Sequence, residues 1–247
     1  MTPPTLELLG VRIDRLTRSE AVARVDALLA TPGPSALQYV NAHSLNLACE
    51  DAAYRDVLAR TALVLNDGVG LSVAGRMSGR PFPDNLNGSD FTPVVLQRAT
   101  AQGLSVGFYG GRPGVAAEAA RRLSAQIPGL RVAGLLDGYA IQDPGAAAQA
   151  VAAWEADVLV VALGNPAQEI WIDRYAAQTG TRLATGVGAF LDFTAGRVPR
   201  APAWMNRIGV EWLWRLWQEP GRMWRRYVLG NPRFLLRVAR QTLRQRT

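Results

Sequence analysis

The sequence contains no lysine, one cysteine and one histidine. Cys49 has no second cysteine with which to form an intramolecular disulfide, which fits a reducing compartment. A single histidine and a single cysteine are too few for a zinc site built from such ligands, and we do not expect a catalytic triad either. We therefore interpret His43 as structural, in a cap or a buried hydrogen bond.

Two more absences concern metals and membranes. No two aspartates are spaced Asp-x-Asp, so the acidic pair that often holds a metal on a nucleotide diphosphate is missing. No apolar run approaches the roughly 18 residues that span a bilayer, and the first residues lack the pattern of a secretory signal. We expect no metal and no cofactor, and a cytoplasmic protein that is peripheral on the inner face of the cytoplasmic membrane.

Positive charge is concentrated at the C-terminal end. Residues 200–247 hold 11 of the 27 arginines, 2 of the 20 acidic residues and five of the seven tryptophans. Helical spacing places Arg233, Arg237, Arg240 and Arg244 on one side and Phe234, Leu235 and Val238 on another. A solvated helix packed on the core would give the same pattern, but arginine with tryptophan favours an anionic membrane surface or ligand.

The middle of the chain alternates short β-branched runs with segments of helical period. This pattern predicts an α/β fold with a Rossmann-like, mostly parallel sheet and flanking helices. Predicted strands are 36–41, 62–66, 105–109, 130–136, 157–162 and 182–187. Predicted helices are 89–102 with Ser89 or Asp90 as N-cap, 113–126 opened by Pro113, and 168–179, after a β-α unit over 6–30. We expect residues 1–199 to form the catalytic domain and residues 200–247 a helical basic appendage.

Four predicted strands end in glycine-rich or polar turns, at 66–70, 109–114, 164–169 and 186–190. In open α/β sheets such turns share the carboxyl edge, where ligands bind. Gly110 and Gly111, before Pro113, predict free backbone N–H groups and a helix N-terminus facing an anion. A plain tight turn explains this pair equally well, but the four turns together favour a nucleotide diphosphate.

Asp67 follows an apolar strand and precedes Gly68. Its carboxylate is expected at the end of that strand, inside the cleft. There it is either a general base, a role worth roughly 10²–10⁴ in rate, or the N-cap of the next helix. Position alone leaves both interpretations open.

Nine blocks of sequence carry a family resemblance. They are Asn41-Ala42, Asp67-Gly68-Val69-Gly70, Gly88-Ser89-Asp90, Gly110-Gly111-Arg112-Pro113-Gly114, Asp137-Gly138-Tyr139, Gly164-Asn165-Pro166-Ala167-Gln168-Glu169, Gly186-Val187-Gly188, Gly196-Arg197-Val198-Pro199-Arg200-Ala201-Pro202 and Glu211-Trp212-Leu213-Trp214-Arg215. In this order they resemble the WecG/TagA/CpsF family of bacterial glycosyltransferases, glycosyltransferase family 26.

The resemblance implies an inverting, metal-independent enzyme of cell-surface polysaccharide or wall-glycan synthesis. Such an enzyme moves a sugar, of the N-acetylmannosamine type or another hexose, from a UDP donor to a polyprenyl-diphosphate-linked sugar. It implies catalytic roles for Asp67, as base, Asn41 and Gln168. The substrate-binding residues it implies are Gly110, Gly111, Gly138, Tyr139, Gly164, Pro166, Glu169, Gly188, Ser89, Asp90, Arg215, Arg222 and Arg225. Tyr39 occupies a position where the family often has threonine. Asn85 lies in the segment before Gly88 where the family usually has an arginine. Because of these departures, the resemblance does not identify the donor sugar.

Other functions remain as alternatives. The first is a non-catalytic nucleotide-binding α/β protein whose basic tail binds nucleic acid or protein, although no nucleic-acid recognition motif accompanies the charge. A dinucleotide-dependent oxidoreductase is disfavoured, because no Gly-x-Gly-x-x-Gly with a downstream acidic partner occurs. A second copy of the chain is a further possible partner.

Overall fold

A computed structural model describes residues 4–202, 205 and 210–245, except for the side chain of Arg222. A two-stranded hairpin comes first, followed by a six-stranded sheet. The strands are β1 (Thr5–Leu8), β2 (Val11–Asp14), β3 (Ser35–Val40), β4 (Leu63–Asn66), β5 (Ser105–Gly110), β6 (Arg131–Leu136), β7 (Val158–Ala162) and β8 (Leu183–Gly186). The larger sheet has the order β4-β3-β8-β7-β5-β6, and all of its pairs are parallel.

The predicted α/β fold is confirmed, and each of the six predicted strands agrees with an observed strand to within one residue at each end. Burial explains the agreement. Every residue of β7 and of β8 is buried, as expected for parallel strands covered by helices on both faces. Continuous apolar runs such as Val158–Ala162 are therefore readable without knowledge of the partner strands.

Helices cover both faces of the sheet. They are α1 (Arg18–Ala30), α2 (Ala42–Glu50), α3 (Ala52–Arg60), α4 (Val69–Met77), α5 (Gly88–Ala101), α6 (Val115–Gln126), α7 (Pro144–Ala152), α8 (Ala167–Tyr175) and α9 (Phe190–Thr194), with a 3-10 turn at Ala176–Thr179. One hydrophobic cluster joins the sheet to α1, α5, α6 and α9. Two more clusters lie on the other face, one under α2, α3 and α4 and one under α7 and α8.

Two predicted helix starts are wrong by one or two residues. The N-cap of α5 is Asn87, whose Oδ1 accepts a hydrogen bond of 3.0 Å from the Asp90 amide, so Ser89 and Asp90 already belong to the first turn. Helix α6 begins at Val115 after Gly114, which has a left-handed backbone with φ of 81°. Pro113 therefore lies in the preceding turn and does not open the helix.

The N-terminal segment is also a correction, because the predicted β-α unit over 6–30 begins with a hairpin. Strands β1 and β2 pair antiparallel around Leu9 and Gly10. Both turn residues have positive φ, 54° and 80°, as the two-residue turns that match the twist of a hairpin require. Leu9 is an unusual residue at such a position, which is why the sequence did not signal the turn.

After residue 210 the chain is helical, with α10 (Glu211–Gln218), α11 (Pro220–Trp224), a π-helical turn (Arg225–Leu229) and α12 (Gly230–Arg244). Helix α12 packs on the body of the protein, since Phe234 and Val238 are fully buried beside α2 and α4. Gln241 also accepts a hydrogen bond of 2.8 Å from the Leu9 amide. None of the helices within the described ranges is long and apolar enough to cross a membrane.

The predicted basic stripe on α12 is only partly free for a ligand. Arg233 and Arg237 each lie 3.0 Å from a carboxylate oxygen of Glu50 on α2. Arg237 also donates a hydrogen bond of 2.9 Å to the Asn46 side chain. Arg240 is exposed. The stripe therefore serves in part to attach α12 to α2.

Candidate active site

A cleft of about 1260 Å³ runs along the carboxyl edge of the six-stranded sheet. Turns that follow β3 to β8 form one wall, and α10 to α12 with the π-helical turn form the other. Among the predicted residues that line it are Asn41, Asp67, Ser89, Gly111, Gly138, Tyr139, Gly164, Gln168, Gly188, Arg215 and Arg225. The topology thus brings residues from most of the chain to one surface, where ligands of such sheets bind.

Asp67 lies half-buried in this cleft, immediately after β4. Its backbone amide donates a hydrogen bond of 2.8 Å to the Val40 carbonyl, which ties it to the end of β3. Helix α4 begins after Gly68 and has no side-chain cap. Of the two interpretations left open by the sequence, the helix cap is therefore excluded, and the carboxylate faces the cleft.

The surroundings of Asp67 set its basicity. Desolvation by the surrounding protein is the largest effect and raises the pKa of the carboxyl above its usual range. A hydrogen bond from Asn41 and the charges of Arg226 and Arg215 act in the opposite direction, whereas Asp90 raises the pKa further. A desolvated carboxylate is a stronger base than an exposed one, which suits removal of a proton.

Asn41 holds Asp67 from β3. Its Oδ1 accepts hydrogen bonds from the amides of His43, at 3.0 Å, and Ser44, at 3.2 Å, and so caps α2. Its Nδ2 is left to donate to Asp67 Oδ2, at 3.4 Å. The cap fixes the orientation of the amide, so the donor is always presented to the carboxylate.

Gln168 joins two turns of the sheet wall. Its Oε1 accepts hydrogen bonds from the Gly164 amide, at 3.2 Å, and the Gly188 amide, at 3.0 Å. Its Nε2 donates to Glu169 at 3.0 Å, and only 2% of the residue is exposed. A Cβ at Gly186 would lie 2.8 Å from this Nε2, so a glycine is needed where the strand passes Gln168. The position of Gln168 is that of an anchor for the turns.

Four predicted substrate-binding residues lie outside the cleft surface. Glu169 is 1% exposed and lies behind the cleft surface, so its contact with substrate stays a prediction. Gly110 belongs to β5, where a Cβ would overlap the Ala162 carbonyl oxygen, and Pro166 forms the N-cap of α8. Asp90 lies beside the cleft and forms an ion pair of 2.6 Å with Arg200.

The prediction of free backbone amides at the Gly110-Gly111 turn is corrected at Gly111. The Gly111 amide donates to the Ala162 carbonyl at 3.0 Å, and the Gly114 amide donates to Asp137 Oδ2 at 3.1 Å. The Gly111 amide, which was expected to be free, is thus occupied, and a carboxylate already lies at the start of α6. A phosphate at this helix N-terminus would meet a negative charge.

Arginines of the C-terminal helices face the sheet wall across the cleft. Arg215, Arg225, Arg226 and Arg233 line it, and the Arg215 guanidinium lies 5.1 Å from the centre of the Phe193 ring. Arg226 and Arg215 are close enough to Asp67 to lower its pKa. Arg222 was predicted to join them, but its side chain lies outside the described part of the structure.

Comparisons with known proteins match this arrangement. The model of the Glycosyl transferase WecG/TagA/CpsF family covers residues 6–247. The chain belongs to that family. A protein of Bacillus spizizenii is 34% identical over 191 residues, which are 77% of this chain and 73% of that protein. A protein of Bacillus subtilis is 30% identical over 235 residues, 95% of this chain and 88% of that protein. Both are named N-acetylglucosaminyldiphosphoundecaprenol N-acetyl-beta-D-mannosaminyltransferase.

Membership of the WecG/TagA/CpsF family confirms the resemblance and supports a glycosyltransferase. Most of the blocks that carried it are the turns at the carboxyl edge. The sequence missed several residues that line the cleft, among them Tyr39, His43, Arg112, Arg226 and Arg233. The π-helical turn, a feature frequent at functional sites, contains Arg225 and Arg226 together. The sequence signal that could have identified Arg226 is its position directly after Arg225, which was predicted to bind substrate.

Proposed function

We propose that this WecG/TagA/CpsF family member transfers N-acetylmannosamine from a UDP donor to N-acetylglucosamine on a polyprenyl diphosphate. The names of the two relatives support this donor sugar and this acceptor. The observation that carries the proposal is the position of Asp67, desolvated in the cleft between the Asn41 amide and the charges of Arg215 and Arg226. In this arrangement the carboxylate that we propose as the base lies beside cations that suit a departing diphosphate.

In the proposed reaction the acceptor hydroxyl attacks the anomeric carbon of the donor sugar. Asp67 takes the hydroxyl proton, the new glycosidic bond forms, and the bond from the anomeric carbon to the UDP oxygen breaks with its electron pair going to UDP. A single displacement of this kind inverts the anomeric configuration. Asn41 holds the Asp67 carboxylate in place during the proton transfer.

Departing UDP gains negative charge, which the site must stabilise. Arg215, Arg225 and Arg226 line the cleft on the wall opposite the sheet. Guanidinium groups bind phosphate oxygens through paired hydrogen bonds, so we propose that these arginines replace a metal ion as the counter-charge. Transfer is then independent of divalent cations.

The opposite end of the cleft suits the uracil base. Tyr139 is 65% exposed and lies next to Gly138, while Tyr109 and Trp171 form an edge-to-face pair 4.9 Å apart on the same wall. An exposed aromatic ring offers a face on which a planar base stacks. We place the sugar of the donor towards Asp67 and its base towards Tyr139.

The C-terminal helices also present apolar side chains to solvent. Trp217 is 74% exposed, Trp224 54% and Leu213 43%, among several arginines. Tryptophan with arginine is typical of surfaces that rest on anionic lipid head groups. We propose that this wall of the cleft contacts the membrane that carries the lipid-linked acceptor.

The test is a transfer assay with purified protein, a panel of UDP-sugars and a short-chain lipid-diphosphate N-acetylglucosamine acceptor. We expect turnover with UDP-N-acetylmannosamine, undiminished when EDTA is present. Turnover with a different UDP-sugar only would overturn the assignment of N-acetylmannosamine as the donor sugar. Loss of activity in EDTA that Mg²⁺ restores would overturn the proposal that the arginines replace a metal ion. No transfer from any UDP-sugar, with UDP binding absent as well, would overturn the proposed function.

A further inference from the structure

A buried carboxyl group lies directly behind the sheet wall of the cleft. Glu169, in the first turn of α8, is 1% exposed. Its Oε1 accepts hydrogen bonds from the side-chain amides of Asn165 and Gln168. Ionisable side chains are rarely buried to this extent without a function or a partner. The mechanism proposed above does not use this one.

Glu169 is connected to the cleft through Gln168. The Oε1 of Gln168 accepts from the amides of Gly164 and Gly188, which belong to the turns after β7 and β8. Both glycines line the cleft, as does Asn165. A shift of Glu169 would therefore move two turns of the sheet wall, because the side chain of Gln168 contacts both.

The second oxygen of Glu169 has an unusual environment. Oε2 is buried and has no hydrogen-bond partner within the described part of the chain. Desolvation raises the pKa of Glu169 to about 7, against the hydrogen bonds from Gln168 and Asn165 that lower it. Burial and the charge of Glu169 raise the pKa of Tyr54. Near neutral pH the carboxyl group thus carries a proton for much of the time.

No cation faces Glu169 from the elements packed around α8. Strands β7 and β8, helix α7 and the 3-10 turn contain no ionisable residue, and Tyr39 of β3 packs towards α5. On α3, Arg60 pairs with Asp173 of α8, whereas Arg55 bonds to the Ala48 carbonyl and Asp56 is exposed. These elements therefore offer Glu169 no counter-charge.

We propose that Glu169 is a positioning residue for the donor, whose carboxyl group holds Gln168 and Asn165 and thereby fixes the turns at Gly164 and Gly188. This inference rests on the proposed function, since it assigns those turns to the UDP-sugar. The acid form serves best, because one oxygen accepts from the two amides while the other, which has no hydrogen-bond partner among the described residues, then carries no charge. Ionisation leaves an unpaired charge in a desolvated place and loosens the two turns.

The experiment measures the Kd of UDP by calorimetry from pH 6 to pH 9, without turnover, for wild type, Glu169→Gln and Glu169→Ala. A glutamine has the shape and the hydrogen-bonding pattern of the protonated acid. We expect it to keep the wild-type Kd at pH 6, whereas alanine weakens binding by about tenfold or more, as misplacement of a binding group does. An exposed acid, Glu155→Gln, is the matched control and is expected to bind as wild type.

The pH series separates positioning from folding. The phosphate of UDP titrates in the same range, but the ratio of wild-type Kd to Glu169→Gln Kd at each pH cancels that effect. We expect this ratio to rise as pH increases through about 7. A constant ratio, or alanine binding as tightly as wild type, would overturn the inference, and the glutamine series decides it if the alanine variant fails to fold. Absence of UDP binding to wild type would instead overturn the proposed function.

Discussion

The two walls of the cleft differ in how their polar groups are held. On the sheet wall, Asn41 and Gln168 use nearly all of their hydrogen-bonding capacity on neighbouring backbone amides and carboxyl groups. On the helical wall, Arg225, Trp217 and Trp224 are exposed, Trp217 by 74%. The sheet wall is preorganised, which suits the reacting atoms, whereas the helical wall supplies charge and apolar surface to partners that arrive from outside.

The largest effect is expected when the proposed base, Asp67, is removed from the sheet wall. Asp67→Asn keeps the shape of the side chain but cannot accept the hydroxyl proton. We expect kcat to fall by roughly 10²–10⁴ while the Kd of UDP stays within a few-fold. The control is Asp56→Asn, an exposed aspartate on α3. Transfer by Asp67→Asn at the wild-type rate would show that Asp67 is not the base.

The next test removes a charge from the helical wall. Arg226→Gln is expected to lower kcat/KM about 100-fold, as loss of one stabilising donor does. Because Arg226 lowers the pKa of Asp67, its removal raises that pKa. The base must be ionised, so activity then falls at a higher pH on the acid side than in wild type. Arg240→Gln, exposed on α12, is the control, and an unmoved acid limb in Arg226→Gln would show that this arginine does not act on the base.

A third test concerns the stability of the sheet wall. The folded protein holds the Glu169 proton up to about pH 7, but the unfolded chain releases it near the ordinary value of 4.5. Between these values the folded state binds more protons, so the free energy of unfolding falls as pH rises, by up to about 3 kcal/mol. Denaturant titrations across this range should show a smaller fall for Glu169→Gln. If the free energy of unfolding fell equally with pH in both proteins, the proton retained by the folded state would belong to a group other than Glu169.

The smallest expected effect is on membrane contact. Trp217→Ser should weaken binding to vesicles that contain anionic lipid by about tenfold, equivalent to about 1.4 kcal/mol. Turnover of a water-soluble short-chain acceptor should not change, since the side chain points to solvent. If that turnover fell as strongly as vesicle binding, Trp217 would belong to the active site and not to the membrane surface.

The sequence predicted β4, β5, β7 and β8 well because every residue of these strands is buried. Runs such as Val158–Ala162 need no partner to be recognised. Asp67 was placed correctly in the cleft, since a polar residue after such a strand must lie at the carboxyl edge. The hairpin was missed because Leu9 occupies a left-handed position without a side chain that favours it.

What the sequence could not show depends on contacts between distant residues. The amide of Gly111 is occupied by a carbonyl of β7, and that of Gly114 by a carboxylate that follows β6. Glu169 follows Gln168 directly, but the rotation of α8 turns one towards the cleft and the other into the core. The roles of these residues are set by pairing and helix orientation, which local patterns do not encode.

The most direct measurement is the anomeric configuration of the transferred sugar, read from the proton spectrum of the purified product. In the proposed reaction one base lies on the preorganised wall and the leaving group on the other, so we expect the displacement to occur in a single step. The product should therefore have the configuration opposite to that of the UDP donor. Retention of the donor configuration would contradict the account, because it requires either a covalent intermediate or attack from the side that UDP leaves.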